Sequence, residues 1–250
     1  MTNFKLYSSY YDLLYKDKNY SAESEYVVAK LKKINPNIKT IIELGCGSGS
    51  HANFICKNNI EVTGIEQSQE MVNIAQLKNI IGFKPIVADI SSYPKLDIEY
   101  DAAISLFHVI SYLTDNVSLV NCFNVTRQNL KVGGLFLFDV WFSPAVYANQ
   151  PETRIKKLED DKVKITRIAQ SVSNPVNNVV DVHFEVIIQD KQNNELTVIN
   201  EVHPMRHFSI PEIELLAMQT GFEVIKTEEF LTKNTPSTNT WGVVFILKKI

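Results

Sequence analysis

Cysteine is the first scarcity: 250 residues hold only Cys46, Cys56 and Cys122. None stands at metal-ligand or redox spacing, so they read as free thiols of a reducing compartment rather than a disulfide framework. Charge of one sign is also missing, since 25 Lys and Arg against 28 Asp and Glu leave a formal charge of −3. Nucleic-acid binders show a basic surplus or stripe. The nearest thing, Lys30-Leu31-Lys32-Lys33, fits a solvated helix face and last turn. No nucleic-acid partner is expected. No apolar run approaches a membrane span, and Met1-Thr2-Asn3-Phe4-Lys5 lacks the charged-then-apolar layout of a signal peptide. A cytoplasmic protein without a membrane partner is the expectation.

What is present is ordinary globular material, 45% hydrophobic and 21% charged, enough for one large domain or a domain with a subdomain. Short apolar runs at 39–44, 60–66, 84–88, 101–106 and 134–139 predict strands. Between them 50–58, 68–78 and 116–130 carry helical spacing, with Val117, Val120, Phe123 and Leu130 assigned to one face. Ser68 is placed as an N-cap, with Glu70 in the first turn. Apolar strands separated by helices mean an α/β fold, a doubly wound, Rossmann-like, mostly parallel sheet.

The flanks differ. A Tyr-rich segment, "YYDLLYKDKNY", leads into a helix near Ser21–Lys33, and residues 154–208 alternate as an antiparallel β-meander with turns at Ser173-Asn174-Pro175 and 190–194. A helix between Pro211 and Gly221 and two last strands, the final one antiparallel, close the chain. The expected organisation is a lid segment and helix (1–36), an α/β core (37–140), an inserted antiparallel β unit (141–208), and closing elements (209–250).

The chemistry starts at "IIELGCGSGSH", residues 41–51. A dinucleotide fingerprint would need its third glycine at the position of Ser50, and no Gly-Lys-Ser/Thr follows for a phosphate loop. What remains is Glu43 ahead of Gly45, Gly47 and Gly49. Bare glycine backbone lets a ligand come close, and Glu43 stands where it could attract a cation. Glu66 ends the next strand, where an acid can accept from ribose hydroxyls. Asp89 ends the third. Three acids around a glycine loop suit a ligand with a positive charge, a ribose and an adenine amine, and S-adenosylmethionine (SAM) has all three.

"ELGCGSGSH", "VTGIEQSQEM", "VADI", "YDAAISLFHVISYL" and "LKVGGLFLFDVW" together resemble, in order and spacing, the motifs of class I SAM-dependent methyltransferases over about residues 38–140. The resemblance implies that Glu43, Gly45 and Gly47 hold the methionine part, Glu66 the ribose and Asp89 the adenine amine, with Phe107 offering main chain to the methionine amine. Tyr20, Cys46, His51, Gln67, Met71 and Ile90 complete the expected cofactor set.

The acceptor class narrows by what is missing. No Asp/Asn-Pro-Pro-Tyr follows the fourth strand, and Cys122 lies mid-helix rather than beside a proline, against base-methylating enzymes. "YYDLLYKDKNY", "FDVWFSPAV", the meander and "EVHPMRHFSIPE" look like bacterial N,N-dimethyltransferases of nucleotide-linked aminodeoxysugars and related surface-glycan enzymes. Where those enzymes carry a His after the fourth-strand loop, this chain has Tyr112. The resemblance therefore implies a small polar acceptor, a nucleotide-linked amino sugar, with O-methylation or non-catalytic SAM or NAD binding as rivals.

Tyr15, Tyr112 and His108 are the candidates for the acceptor's proton. Trp141 and Phe142 are candidates for stacking on a nucleobase, and Arg154, Arg206 and His207 for gripping a pyrophosphate. Pro204 between His203 and His207 forbids a regular helical ligand pair, and no metal site is expected. Lys16, Asp17, Lys18 and Asn19 are polar with no core to join, so the Tyr15 segment is expected to act as a lid. The alternating meander is expected to cap the site and to form a homodimer contact.

Overall fold

In the computed structural model of the protein, residues 12–250 are described; Tyr10 and Tyr11 of the Tyr-rich segment lie outside them. The sheet is built around five parallel strands: β1 (Thr40–Leu44), β2 (Glu61–Glu66), β3 (Phe83–Val87), β4 (Tyr100–Ser105) and β5 (Leu130–Phe142). They lie in the order β3-β2-β1-β4-β5. The order reverses between β1 and β4, which opens a crevice at their carboxyl ends where open α/β sheets bind ligands. Two further strands, β10 (Phe222–Glu229) and β11 (Gly242–Lys249), extend the sheet beyond β5, both pairings antiparallel.

Helices α1 (Tyr20–Ile34), α2 (Ala52–Ile55), α3 (Gln69–Leu77), α4 (Asn116–Asn129), α5 (Ser143–Ala148) and α6 (Ile210–Gln219) accompany the strands. Their ends follow local chemistry. Asn19 caps α1 through the Ala22 N–H at 3.0 Å. Ser68 caps α3 through the Met71 N–H at 3.3 Å, as expected. Apolar clusters fill both faces of the sheet, one under α1 with Val27, Ile41 and Leu137, the other under α4 and α6 with Phe123, Phe136 and Phe245.

Two local expectations need correction. Val117 is 70% exposed, and α4 buries Leu119, Cys122, Phe123, Thr126 and Asn129 instead. The buried face therefore carries polar residues that satisfy themselves internally: Asn129 donates to the Val125 carbonyl at 3.0 Å and accepts from the Leu96 N–H at 2.7 Å. The predicted helix over 50–58 is one short turn of α-helix followed by a 3₁₀ turn.

The meander is four antiparallel strands: β6 (Arg154–Glu159), β7 (Val163–Asn174), β8 (Val179–Asp190) and β9 (Leu196–Phe208). Its inward face carries Val180, Val182, Val186 and Ile188, all buried, which is the alternation seen in the sequence. It is not a separate sheet. The last two residues of β5 pair in parallel with β9, Trp141 opposite His207 and Phe142 opposite Phe208. The core strand thus branches, part of its edge serving β11 and its tip serving β9.

The polar stretch at 16–19, expected to have no core to join, follows a buried anchor. Leu14 is fully buried with Val163, Ile165, Val186, Ile188 and Ile199 on the meander, and Lys156 donates to the Leu14 carbonyl at 2.9 Å. Asp12 accepts from the Ser48 hydroxyl at 2.6 Å and pairs with Lys78 at 2.8 Å. The segment clamps the glycine loop to the meander.

Candidate active site

The glycine loop leaves β1 through three left-handed residues, Gly45 (φ 66°), Gly47 (φ 53°) and Gly49 (φ 77°). Side chains resist this conformation by about 1–2 kcal/mol each. The Gly45 and Cys46 N–H groups donate to the Ile65 carbonyl at 2.8 and 3.2 Å, pinning the loop to β2. At Gly45 a Cβ would lie 2.5 Å from Val109, whereas at Gly47 it would meet nothing within 4 Å. The loop is closed on one side and open on the other.

Behind it stands a buried charge chain. Glu43 is 1% exposed, and its Oε2 is buried with no hydrogen-bond partner among the described residues. Its Oε1 lies 3.6 Å from His51 Nδ1, His51 Nε2 is 2.8 Å from Glu23, and Glu23 also pairs with Lys18. Burial alone would lower the His51 pKa, yet the two carboxylates outweigh it and raise it. Burial likewise pushes the Glu23 carboxyl up, but His51 and Lys18 bring it below its ordinary range. An anionic oxygen with no partner calls for a cation, because a lone buried charge is costly.

Glu66 supplies the second acid. Its two oxygens accept from the Gly47 N–H at 3.0 Å and the Ser68 N–H at 2.9 Å. Burial raises its pKa despite these bonds. A carboxylate has further lone pairs, which leaves capacity for ribose hydroxyls. Asp89 is exposed just past β3, with the Ser91 N–H and hydroxyl both on its Oδ1 at 2.7 Å.

Around these acids, Tyr20 packs its ring edge-on to His51 at 4.9 Å. Met71 is buried, Ile90 half-buried and Gln67 exposed. Cys46 has its side chain buried, and burial pushes its thiol well above the ordinary range. Only its main chain is available to a ligand.

The loop after β4 closes the crevice. Phe107 (φ 66°) and His108 (φ 61°) are consecutive non-glycine residues in the left-handed region, strain of the kind that collects at functional sites. Asp139 on β5 holds them there. Its carboxylate accepts from the His108 N–H at 3.2 Å and lies 2.7 Å from His108 Nδ1. Burial would raise the Asp139 pKa, but His108 and Lys18 bring it below the usual range. His108 thus fixes the main chain of Phe107.

Tyr15 meets Phe107 edge-on at 5.0 Å, and its hydroxyl accepts from Arg167 at 3.1 Å. Tyr112 ends the 3₁₀ turn Val109–Tyr112 that follows this loop. Its ring is 45% exposed while its hydroxyl turns inward to His203 Nδ1 at 2.8 Å. Burial around that hydroxyl raises its pKa well above the ordinary tyrosine range.

The substrate candidates separate. Trp141 stands between His108 (6.2 Å) and Trp241 (6.0 Å), edge-on to both. Arg154 and Trp241 line a groove of about 280 Å3 with Asn149, Glu152 and Asn239. Three others are committed elsewhere. Phe142 is 5% exposed within the core. Arg206 pairs with Glu212 at 2.5 Å and donates to Asn116 at 2.8 Å. His207 is 1% exposed, bonded to Ser143 at 2.8 Å, with burial lowering its pKa. Phe142 and His207 are enclosed, and the terminal nitrogens of Arg206 are taken by Glu212 and Asn116. No group of three or more His, Cys, Asp or Glu capable of holding a metal occurs among the described residues.

Sequence reasoning missed Lys18, Glu23, Asp139, Arg167 and Glu201, and weighed His203 only as a metal ligand. Glu23 alone had a local signal, as an acid in a helix's first turn.

A switch-point glycine loop, an unpaired buried acid for a cation and a second acid at the next strand end define a SAM-dependent methyltransferase, with SAM as its cofactor. Residues 41–134 match the family model described as a methyltransferase domain, and the chain carries that domain. It is 26% identical over 248 residues to YqeM of Bacillus subtilis (strain 168), a methyltransferase by assignment, covering 97% of this chain and 96% of that one. It is 23% identical to the dTDP-3-amino-3,4,6-trideoxy-alpha-D-glucopyranose N,N-dimethyltransferase of Streptomyces venezuelae, over 87% of this chain and 86% of that one. A solved SAM-dependent methyltransferase from Clostridium acetobutylicum ATCC 824 shares the fold at TM-score 0.81, with 19% identity and 98% of each chain covered. SAM supplies the electrophilic methyl group, and Glu43, Glu66, Asp89 and the glycine loop would be the residues to hold it.

Proposed function

We propose that this enzyme N-methylates a nucleotide-linked amino sugar. The observation that carries the reading is the aromatic path out of the cofactor crevice. Tyr15, Phe107, His108, Trp141 and Trp241 follow one another at ring separations of 5.0 to 6.2 Å, and the path ends at the Arg154 groove. A sugar amine at the Tyr15 end and a nucleotide diphosphate near Arg154 would span it. The Streptomyces relative, whose name states a dTDP-linked amino sugar, aligns through the meander as well as the core, which supports the same acceptor class.

Methyl transfer asks mainly for alignment and exclusion of water. Tyr15 would orient the acceptor above the methyl, Phe107 would bind the cofactor's amine through main chain, and Tyr112 would handle the acceptor's proton. In this reading the product feeds surface-glycan assembly in the cytoplasm. The test is methyl transfer from labelled SAM to a panel of nucleotide-linked sugars. Turnover of amine-bearing members and not of their hydroxyl analogues is expected; turnover of the hydroxyl analogues alone would replace the reading with O-methylation.

We also propose that two copies meet across the outward face of the meander, where Val172, Val198 and Val202 are exposed. An uncovered apolar sheet face favours a second sheet. Changing all three to Lys should turn a dimer into a monomer in analytical ultracentrifugation. A wild-type protein that is already monomeric would refute the contact.

A further inference from the structure

We propose that Tyr112, His203 and Glu201 form a proton relay that strips the acceptor amine of its proton. The inference rests on the amine reading above and adds residues that reading does not contain. His203 and Glu201 are two apart on β9 and so share one face of the meander. His203 Nε2 lies 2.8 Å from Glu201 Oε2, and its Nδ1 lies 2.8 Å from the Tyr112 hydroxyl. Both residues of β9 are nearly enclosed, with side chains 9% and 7% exposed. Phe184 covers the imidazole edge-on at 4.9 Å.

The polarity of this chain is set by its ends. A carboxylate can only accept, so it draws the imidazole proton to Nε2 and leaves Nδ1 as an acceptor for the phenol. Glu201 Oε1 is buried with no hydrogen-bond partner among the described residues. A carboxylate oxygen left so is costly beside a neutral imidazole and better matched by an imidazolium. The trio is arranged for a proton to arrive on His203.

The step balances. An ammonium proton of the acceptor moves to Tyr112 Oη while the Oη proton moves to His203 Nδ1. The amine regains its lone pair, Tyr112 is neutral before and after, and His203 becomes imidazolium against Glu201. The proton leaves to solvent when the site reopens. Besides His203, Tyr15 from the N-terminal segment, Glu201 from β9 and Glu66 from β2 act electrostatically on Tyr112. Arg167 on β7 lies over Phe184 at 5.2 Å. Tyr112 touches the acceptor; His203 and Glu201 are positioning residues that act through it.

The glycine loop fixes where this happens. Val109, in the same 3₁₀ turn as Tyr112, packs against Gly45 closely enough to exclude a Cβ. The relay therefore opens at the loop that carries the cofactor.

Two readouts test it. Nitrogen-15 NMR of the ligand-free enzyme should show neutral His203 protonated on Nε2, and Glu201→Leu, which removes the acceptor at that nitrogen, should abolish the Nε2–H preference. An Nδ1–H tautomer in the wild type, or an unchanged Nε2–H tautomer in Glu201→Leu, overturns the relay without reference to any acceptor. With an amine acceptor, His203→Asn can still accept from Tyr112 but cannot take its proton. Its kcat at neutral pH should fall about a hundredfold, with KM within about twofold, and should recover towards wild type as pH rises past the acceptor's own pKa. An equal loss at every pH makes the trio a staple between loop and meander and overturns the proposal. If no amine is methylated while the NMR pattern holds, the acceptor reading and the ammonium step fail together, and only the polarity of the Tyr112–His203–Glu201 chain stands.

Discussion

In the proposed reading, the cofactor half and the acceptor half of this site are built by different means. Around the cofactor, the acids and glycines sit within a few residues of strand ends, and two of the acids accept directly from main chain, Glu66 from Gly47 and Asp89 from Ser91. The acceptor half is made by distant chain segments meeting, Tyr15 with Arg167 and Tyr112 with His203. The first is a feature of the α/β core. The second exists only because the β5 tip pairs with β9. Binding and chemistry should therefore separate under mutation.

The largest expected effect comes from the cofactor half. Gly45→Ala meets both a left-handed φ of 66° and Val109 at 2.5 Å, so it should cost about 2–4 kcal/mol. Gly47→Ala has the strained φ of 53° but open space and should cost about 1–2 kcal/mol of stability. Melting curves on the two variants, with calorimetric titration of S-adenosylhomocysteine, measure the difference. Equal destabilisation would show that Val109 does not confine the loop.

Next comes Tyr15, on the acceptor side. Tyr15→Phe keeps the contact with Phe107 and removes the oxygen that accepts from Arg167. Single-turnover rates should fall about a hundredfold with cofactor affinity nearly unchanged. A wild-type rate would make Tyr15 a packing residue.

The two halves were unequally legible in the sequence. The core strands, the glycine loop and the strand-end place of Glu66 could be read because periodicity and short spacing decide them. The β5 branch could not, since two paired residues at a strand tip leave no periodic trace. Arg206 read as a phosphate grip, although Glu212 lay six residues on and takes it. Val117 was set on the wrong face because α4 buries Thr126 and Asn129, polar residues that an apolar count passes over. Tyr112 was found only as a departure from a resembled motif; its partner lies 91 residues away.

The smallest expected effect is on pH dependence, and it belongs to the cofactor half. The His51 pKa is raised above its ordinary 6.5 by Glu23 and Glu43, against burial. A raised folded pKa gives stability that is full below the ordinary value and is lost as pH rises through the folded one. The ligand-free enzyme should lose melting temperature as pH rises above about 6.5, by about 2–4 °C for each kcal/mol. His51→Gln should flatten that slope, and SAM, bringing its own cation to Glu43, should reduce it. A slope unchanged in His51→Gln would remove the imidazolium from the charge chain.

The division between the halves is tested most directly by one calorimetric comparison, S-adenosylhomocysteine titrated into Glu66→Ala and into Tyr112→Phe. The first loses a carboxylate bonded to Gly47 and Ser68 at the β2 end and should bind more weakly by about 1.5–3 kcal/mol. The second should bind within about 0.5 kcal/mol of wild type, as substitutions away from a contact do. Unchanged affinity in Glu66→Ala, or an equal loss in both, would contradict the account.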